Sequence, residues 1–159
     1  MRAAVLTVSD GVAQGEREDE SGALLAGLLA DAGYEVVRRV VPDERSEIAE
    51  AIEELTDEAS LVLTTGGTGV APRDVTPEAT TSVLERQVPG IAEAVRADAV
   101  RRTPHGLLSR GVAGVRGTAL VVNLPGSPGG CRDGFAVLRE ALPHAVKLLA
   151  GEHGGHRQT

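Results

Sequence analysis

The sequence predicts an α/β fold, a three-layer α-β-α sandwich with a mostly parallel central sheet. Short apolar runs, which suit buried strands, alternate along the chain with segments whose apolar residues recur at helical spacing. The connections between them are short, and such an alternation favours right-handed crossovers and parallel strands. A chain of 159 residues is long enough for one such domain with a real core.

The first half of the chain predicts three strands with two helices between them. The strands are predicted at 3–8, at 34–41 and from Leu61 onwards. Apolar residues at helical spacing predict a first helix around Leu24–Leu29 and a second at 44–57. Each predicted strand is thus followed by a segment that can cross over the sheet to the next strand.

The polar stretch between the first strand and the first helix, residues 11–20, is predicted to be a loop because glycines punctuate it. Its acidic run, Glu16–Glu20, is expected to form a solvated face, on which Asp19 could close over a ligand. Because this loop follows a strand, we expect it to lie beside the loops that follow the other strands.

The second half of the chain predicts two further helices, an irregular stretch, a strand and a last helical region. Thr76 is a good N-cap, and Pro77 fits the first position of a helix predicted at 76–85. The remaining elements are a helix at 91–102, irregular structure at 106–118, a strand at 119–123 and helical structure at 132–150 with a restart near Pro143. We assign residues 1–150 to a single domain and residues 151–159 to a flexible C-terminal tail.

The composition is that of an ordinary globular protein, with 42% hydrophobic and 25% charged residues. A net charge of −7, with one tyrosine and one phenylalanine as the aromatic residues, disfavours a general nucleic-acid binder. We find neither a secretory leader nor an apolar run of membrane-spanning length, so we expect a cytoplasmic protein without a membrane partner. The single cysteine, Cys131, excludes an intrachain disulfide and is expected to pack as a small apolar residue.

Polar and glycine-rich residues follow the predicted strands, and the carboxyl ends of parallel strands lie along one edge of a sheet. In chain order, the residues that follow the strands are Ser9 and Asp10, Asp43, Thr65–Asp74, and Asn123–Gly130. We therefore expect Asp43 and Asp74 to meet near the glycine loop. Simpler interpretations exist, since glycines after a strand often form only a tight turn. Asp43 could likewise only end a strand before a helix, and Asp10 could be a turn residue.

The glycine loop predicts a site for a phosphorylated ligand. Gly66, Gly67 and Gly69 have no Cβ atom, so their backbone N–H groups can approach an anion closely. A helix N-terminus stabilises an anion by only about 0.3–1 kcal/mol, whereas enzymes lower barriers by about 8–23 kcal/mol. Mg²⁺ held by Asp43 and Asp74 would supply the missing charge, because this ion binds one or two carboxylates together with phosphate oxygens. No lysine follows the glycines, so the loop is not a Walker A motif.

Several short motifs occur in a fixed order over residues 3–150. They are Ser9-Asp10, Pro42-Asp43-Glu44, Thr64–Gly69, Arg73–Glu78, Pro89-Gly90, Leu108-Ser109-Arg110 and Asn123–Pro128. This set resembles the MogA/MoaB family of molybdopterin adenylyltransferases, which includes the gephyrin G domain. One glycine motif would be a weak signal, whereas the ordered set is specific.

The resemblance implies an enzyme of molybdenum cofactor biosynthesis with a MogA/MoaB-like fold. Its reaction transfers AMP from Mg-ATP to the terminal phosphate of molybdopterin, which gives adenylyl-molybdopterin and pyrophosphate. The two aspartates of the family fall on Asp43 and Asp74, which we predict to be catalytic and to bind Mg²⁺. The resemblance also implies a homotrimer and a contact with the enzyme that inserts molybdenum.

The nucleotide and the pterin are predicted to bind at the strand ends. The predicted binding residues are Ser9, Asp10, Thr65, Gly66, Gly67, Thr68, Gly69, Arg73, Thr76, Ser109, Asn123, Pro125, Gly126, Ser127 and Pro128. Ser127 is expected to position a phosphate or the pterin, and Gly67→Ala is expected to weaken binding without preventing folding. Arg73 has two simpler interpretations, an ion pair with Asp74 or a solvated side chain. Ser109 could instead serve the fold or a subunit contact.

Two alternatives to this enzyme stay open from the sequence. One is a non-catalytic molybdopterin-binding or scaffold protein of the same fold, although a pure binder would not need both Asp43 and Asp74. The other is an enzyme of the same fold that acts on another nucleotide. The sequence also leaves open a MogA or a MoaB role, molybdenum or tungsten, trimer or hexamer, and which loop binds ATP.

Overall fold

A computed structural model of the chain describes residues 1–152, so most of the predicted tail at 151–159 lies outside the described residues. The strands are β1 (Arg2–Val8), β2 (Glu35–Val41), β3 (Leu61–Thr65), β4 (Arg86–Gln87), β5 (Ala113–Arg116) and β6 (Ala119–Leu124). The helices are α1 (Asp10–Ala13), α2 (Glu20–Asp31), α3 (Arg45–Glu58), α4 (Thr76–Val83), α5 (Pro89–Arg102), α6 (Pro128–Leu138) and α7 (Leu142–Leu149), with a 3-10 helix at Pro104–Leu108. Within residues 1–152, no helix has the length and apolar character that a membrane crossing requires.

The six strands form one sheet in the order β2-β1-β3-β6-β5-β4. β1 pairs in parallel with β2 and β3, and β3 pairs in parallel with β6. The register aligns Ala3 with Leu61 and Leu61 with Leu120. These four parallel strands confirm the predicted mostly parallel sheet, and their carboxyl ends lie along one edge.

Side chains that alternate along the buried strands divide the core into two layers. Val5 belongs to a cluster that includes Leu29 and is completed by α2, α5, α6 and α7. Leu6, the next residue, belongs to a second cluster, which includes Ile52 and is built with α3 and α4. Because both faces of the sheet are covered, its central strands are mostly apolar, and the predicted α-β-α sandwich is confirmed.

Helix α3 shows how the sequence places a helix on this sheet. Its buried residues are Ile48, Ala51, Ile52 and Leu55, which lie three or four positions apart and therefore on one face. Each fully buried leucine or isoleucine side chain contributes roughly 1.5–3 kcal/mol to folding. Helix α3 has no side-chain cap at its N-terminus. The burial of its apolar face therefore holds the helix against β1 and β3.

Two predictions of irregular structure are wrong. Strand β5 lies within 106–118 and pairs antiparallel with β6 through a tight turn at Gly117, whose φ is 57°. Helix α1 lies at the start of the predicted loop at 11–20, with Ser9 as its N-cap. The two-residue edge strand β4 was also not predicted, because two exposed polar residues give no apolar pattern.

Two helices begin earlier than predicted. Helix α5 begins at Pro89 rather than at residue 91, and α6 begins at Pro128 rather than at residue 132. Both helices therefore start with proline, which is favoured in the first turn because it has no N–H group to leave unpaired. The early start of α6 brings its N-terminus to the edge of the sheet where the strands end.

Candidate functional site

The loops that follow the parallel strands meet at one edge of the sheet, as predicted. Ser9 N–H donates to the Val41 carbonyl at 3.0 Å, and Gly66 N–H donates to the Leu124 carbonyl at 3.2 Å. A Cβ atom on Gly126 would lie 3.2 Å from the Gly66 Cα atom, so these two loops are in close contact. The strand ends thus form one continuous surface.

The converging loops enclose a cleft of about 780 Å³, which we call the acidic cleft. Within the described residues, its charged lining consists of five acidic side chains and one arginine, namely Glu18, Asp19, Glu20, Asp43, Asp74 and Arg17. The acidic run that was expected to be a solvated face therefore contributes three of the acids. A cleft with this excess of negative charge repels an anionic ligand unless a cation accompanies it.

Asp43 and Asp10 hold each other through reciprocal hydrogen bonds. Asp10 N–H donates to Asp43 Oδ2 at 2.9 Å, and Asp43 N–H donates to Asp10 Oδ1 at 3.0 Å. Desolvation by burial raises the pKa of Asp43, and the nearby charges of Asp10 and Asp74 raise it further, against the effect of the backbone bond. The ionised form of Asp43 is therefore disfavoured until a cation pairs with it.

Arg73 connects the loop of Asp10 to the loop that follows β2. Its Nε and Nη2 atoms donate to the two carboxylate oxygens of Asp10 at 2.6 and 3.1 Å, and Nη2 also donates to Glu44 Oε1 at 2.8 Å. The bond from Arg73 lowers the pKa of Asp10, and the bonds to Asp10 and Glu44 raise the pKa of Arg73. Arg73 thus pairs with these two acids rather than with Asp74, so that simpler interpretation is wrong.

Asp74 is half-buried and lines the same cleft as Asp43. Its Oδ2 atom accepts a hydrogen bond from Ala71 N–H at 2.9 Å. The same oxygen lies 2.9 Å from the position that a Cβ atom on Gly69 would take. The carboxylate therefore folds back over its own loop, and a side chain at position 69 would displace it.

The glycine loop has a backbone that only glycine adopts readily. Gly66 and Gly67 have φ values of 102° and 67°. A Cβ atom would lie 2.2 Å from the Val8 carbonyl oxygen at the first glycine and 2.3 Å from Thr76 Oγ1 at the second. Gly67→Ala would therefore disturb folding as well as binding, which corrects the expectation from sequence.

Thr76 is not the N-cap of α4, which corrects a second expectation. Val75 takes that position, and Thr76 Oγ1 donates to the Gly66 carbonyl at 2.9 Å.

Arg110, which is not among the predicted binding residues, donates hydrogen bonds to the backbone of the glycine loop and of the segment that follows it. Its N–H group donates to the Thr68 carbonyl, Nε to the Gly69 carbonyl and Nη2 to the Asp74 carbonyl, each at 2.8 Å. Its Nη1 atom pairs with Glu78 on α4, which lowers the pKa of Glu78. The sequence signal for this residue was its place in the family motif Leu108-Ser109-Arg110, which did not show what the arginine binds.

A second pocket of about 460 Å³ borders the same loops, and Ser127 lines both it and the acidic cleft. Apolar side chains such as Val95 and Leu108 form part of its wall. Asp98 and Arg102 also line it and pair with each other at 2.9 Å, which lowers the pKa of Asp98. The second pocket therefore combines apolar walls with a few charged groups, as pockets for small molecules commonly do.

The structure divides the predicted binding residues into three groups. Those that line the acidic cleft are Ser9, Thr65, Gly66, Gly67, Gly126, Ser127 and Pro128. Those that line the second pocket are Thr68, Gly69, Ser109, Pro125 and Ser127. Those that line neither are Asp10, Arg73, Thr76 and Asn123. The side chains of the third group bind other parts of the protein instead.

Asn123 shows what such a residue does. It is buried on β6, and its Nδ2 atom donates to Thr64 Oγ1 at 2.9 Å and to Thr80 Oγ1 at 3.0 Å. Its Oδ1 atom accepts a hydrogen bond from Val112 N–H at 3.1 Å. The amide thus joins β3, α4 and the segment before β5 beneath the site.

Thr65, which lines the acidic cleft, and Cys131 on α6 are buried against each other. Thr65 Oγ1 donates to the Pro125 carbonyl at 2.7 Å and lies 3.2 Å from Cys131 Sγ. Burial raises the pKa of Cys131 to about 11, so its thiol stays protonated near neutral pH. Cys131 is therefore a packing residue, as expected, and not a nucleophile.

The carboxylates of the acidic cleft fit a Mg²⁺ ion that is also bound by a substrate. Among residues 1–152, no group of three or more His, Cys, Asp or Glu side chains could hold a metal ion. Asp43 and Asp74 supply two carboxylates, and Mg²⁺ in proteins commonly takes one or two together with phosphate oxygens. A cation would also relieve the repulsion that raises the pKa of Asp43.

The carboxyl edge of this mostly parallel sheet carries a glycine loop, two aspartates in one cleft and two pockets that share a serine. These features define an α/β protein with a ligand site at its strand ends. The chain belongs to the molybdopterin-binding family of the MogA/MoaB type. The family model described as "Probable molybdopterin binding domain" matches residues 4–144. The predicted family is thus confirmed.

Individual relatives agree with this membership. The chain is 38% identical over 154 residues to the molybdopterin adenylyltransferase of Helicobacter pylori, and the match covers 94% of this chain and 88% of that protein. It is 39% identical over 159 residues to the molybdenum cofactor synthesis protein cinnamon of Drosophila melanogaster, over 98% of this chain but 26% of that protein. The chain therefore spans about a quarter of the length of cinnamon. The crystal structure of the molybdopterin biosynthesis enzyme MoaB from Thermus thermophilus matches with a TM-score of 0.88 at 47% identity, over 94% of this chain and 96% of that one.

Proposed function

We propose that the protein is a molybdopterin adenylyltransferase of molybdenum cofactor biosynthesis. In this reaction, an oxygen of the terminal phosphate of molybdopterin attacks the α-phosphorus of ATP. The bond from the α-phosphorus to the oxygen that bridges to the β-phosphorus breaks, so the products are adenylyl-molybdopterin and pyrophosphate. The observation that carries the proposal is that Asp43 and Asp74 line one cleft beside the glycine loop, in a chain 38% identical to the Helicobacter pylori enzyme.

The acidic cleft is the proposed site of the ATP phosphates. Asp43 and Asp74 would hold Mg²⁺, which when bound supplies charge that offsets and orients the phosphates. Gly66 N–H is already bound to the Leu124 carbonyl, so the N–H groups of Gly67 and Thr68 would form the nest for phosphate oxygens. Arg17, which lines the cleft and donates to Ser9 Oγ at 3.0 Å, adds a positive charge that favours the same phosphates.

The reacting phosphates are proposed to lie near Ser127, because this residue lines both pockets. Ser127 caps α6, and its Oγ atom accepts a hydrogen bond from Gly130 N–H at 3.0 Å. The positive end of the helix dipole there favours a nearby anion. The second pocket, with its partly apolar wall, suits one of the two planar rings, adenine or pterin.

The proposed reaction needs no side-chain base. The terminal phosphate of molybdopterin is a monoester, which already carries negative charge near neutral pH and can act as the nucleophile. The task of the protein is to bring two negatively charged phosphates together and hold them in line. The fixed glycine loop and the two aspartates are suited to that task.

The experiment that tests the proposal is incubation of the purified protein with Mg-ATP and molybdopterin, followed by mass spectrometry of the pterin and a pyrophosphate assay. We expect both products in equal amounts. Asp43→Asn should prevent their formation, whereas Asp57→Asn, a change at an exposed carboxylate on α3, should not. Tight molybdopterin binding without either product would support the non-catalytic binding protein instead.

We also infer a cytoplasmic homotrimer that contacts the molybdenum-insertion enzyme. An apolar surface beside the edge strand β4 supports association between copies, since Leu148 is 48% exposed there and lies with Ile91 and Val115 around one shallow depression. A contact with the insertion enzyme would pass on adenylyl-molybdopterin, which is that enzyme's activated substrate. Light scattering measures the number of copies directly, and a monomer at assay concentrations would exclude the trimer.

A further inference from the structure

We propose that Arg73 is a positioning residue that fixes the Asp43 carboxylate relative to Asp74 and thereby sets the affinity of the site for Mg²⁺. The inference rests on the proposed function, because it concerns the same metal–phosphate centre. Neither Arg73 nor Asp10 lines the acidic cleft or the second pocket. Their influence on a ligand must therefore pass through the carboxylates that do line the cleft.

The contacts form an unbroken linkage between the two carboxylates. Arg73 directly precedes Asp74 in the chain, so one end of the linkage is covalent. At the other end, the guanidinium group binds both oxygens of Asp10 at 2.6 and 3.1 Å. Asp10 is in turn joined to Asp43 by the two reciprocal bonds of 2.9 and 3.0 Å. The bond of 2.8 Å from Arg73 to Glu44 holds the residue next to Asp43 as well.

The arrangement differs from an ordinary exposed ion pair. The Arg73 side chain is 56% exposed, and solvent screening makes most exposed ion pairs weak contributors to stability. Here, however, one planar guanidinium is bidentate on Asp10 and shared with Glu44, a geometry that an ammonium group cannot reproduce. The three residues lie in the segments that follow β1, β2 and β3, so the group fixes how these segments lie relative to one another.

The test measures the Mg²⁺ requirement for ATP binding, by calorimetry at a series of Mg²⁺ concentrations, together with kcat at saturating Mg²⁺. We expect Arg73→Met to raise the Mg²⁺ concentration for half-maximal ATP binding by about tenfold, as is typical when a residue that supports a metal ligand is lost. Raising Mg²⁺ to saturation should restore the kcat of Arg73→Met towards the wild-type value, because excess Mg²⁺ compensates for a lower affinity of the site. Arg73→Lys keeps the charge but not the bidentate geometry, so it should raise the requirement too.

A double variant tests whether Arg73 acts through Asp10. Asp10→Asn alone should raise the Mg²⁺ requirement, and the combination with Arg73→Met should raise it no further than the larger single effect, because both changes break one linkage. The matched control is Arg39→Met, which removes an exposed ion pair with Glu54 outside both pockets. It should leave the Mg²⁺ requirement unchanged.

An unchanged Mg²⁺ requirement in Arg73→Met, or fully additive effects in the double variant, would overturn the inference. So would a raised KM for ATP at saturating Mg²⁺ with a normal Mg²⁺ requirement, because that result makes Arg73 a direct substrate contact. If Arg73→Met fails to fold, Glu44→Gln weakens the same linkage from its other side and gives the same expected shift. Mg²⁺-dependent ATP binding can be measured even if molybdopterin is not adenylylated, so failure of the proposed function and failure of this inference give different results.

Discussion

Asp43 is half-buried beside Asp10 and within the field of Asp74, and its burial and these like charges raise its pKa. A carboxyl group whose pKa is raised by folding contributes its full stability below the unfolded pKa, and this contribution is lost as the pH rises through the folded pKa. Near neutral pH the ionised side chain therefore opposes folding. Such a conflict between charge and burial is common at functional sites.

The substitution Asp43→Asn should therefore remove adenylyl transfer without lowering the melting temperature near pH 7. The asparagine Oδ1 atom can still accept the hydrogen bond from Asp10 N–H, and the side chain has no charge to desolvate. Thermal melts measure the effect: the melting temperature should equal or exceed that of the wild type near pH 7, and any gain should shrink at acidic pH on the order of 3, where the native carboxyl group is protonated. A clear loss of stability near pH 7 would contradict the raised pKa, and Asp57→Asn serves as the exposed control.

Two glycines with nearly the same φ angle separate the effect of conformation from the effect of contact. Gly67 has a φ of 67° and Gly15 a φ of 74°, so alanine at either position incurs a similar left-handed cost of about 1–3 kcal/mol. A Cβ atom at Gly67 would lie 2.3 Å from Thr76 Oγ1, whereas nothing lies within 4 Å at Gly15. Chemical denaturation should show that Gly67→Ala loses roughly 1–3 kcal/mol more than Gly15→Ala, as overpacking does. Equal losses of unfolding free energy in the two variants would show that the glycine loop can move to accommodate the Cβ atom.

At the scale of single residues, the sequence was sufficient to predict that Asp43 and Asp74 share one cleft. Both follow parallel strands, whose ends share one edge, and both belong to motifs of the family. The structural roles of Asp10 and Arg73 could not be predicted, because their side chains meet across 63 positions of sequence and leave no local pattern. The same holds for Arg110, whose side-chain acceptors lie 32 to 41 positions earlier in the chain.

At the scale of elements, the loop between β3 and α4 depends on Arg110. The change Arg110→Lys removes the guanidinium group, which donates hydrogen bonds to the Gly69 and Asp74 carbonyls. Hydrogen bonds from charged groups contribute roughly 1.5–3 kcal/mol each. Because the side chain is partly exposed, we expect a net loss of only about 1–3 kcal/mol in unfolding free energy. In the same variant, hydrogen exchange of the glycine-loop amides should be faster than in the wild type.

The control for this prediction is Arg116→Lys. Among the described residues, the Arg116 side chain makes one hydrogen bond, of 3.2 Å, to the Val83 carbonyl, and it lies outside both pockets. The substitution Arg116→Lys should lower the unfolding free energy by less than Arg110→Lys does, and it should leave hydrogen exchange in the glycine loop unchanged. Equal exchange rates in wild type and Arg110→Lys would contradict the role assigned to Arg110.

The parallel strands and their helices could be predicted because each carries an apolar pattern that its burial requires. The β4–β5 region could not. Gly114 in β5 suggests irregular structure, yet a Cβ atom there would lie 2.4 Å from the Arg86 carbonyl oxygen, so glycine is needed for close pairing with β4. The turn at Gly117 was the available signal, since a glycine between two short runs of strand-forming residues is typical of a hairpin.

For the whole molecule, the net charge of −7 and the acidic cleft predict that the proposed binding of ATP depends on Mg²⁺. Without Mg²⁺, ATP should bind weakly, and added salt should strengthen this binding because salt screens repulsion between like charges. With Mg²⁺, binding should be tighter and should no longer increase with salt. Calorimetry with and without a chelator measures both, and adenosine, which has no phosphates, should bind equally under all of these conditions. ATP binding that is indifferent to the chelator would contradict a metal–phosphate centre.

The central claim is that Asp43 and Asp74 support adenylyl transfer to molybdopterin at the strand ends of this sheet. The most direct measurement is the rate at which adenylyl-molybdopterin forms in a single turnover of wild type, Asp74→Asn and Asp57→Asn at saturating Mg-ATP. The wild type and Asp57→Asn should form product at the same rate, and Asp74→Asn should be slower by roughly 100-fold or more. Charge stabilisation by a metal ion contributes several kcal/mol, and about 1.4 kcal/mol changes a rate tenfold. A wild-type rate in Asp74→Asn, or a wild-type protein that binds both substrates and forms no product, would contradict the claim.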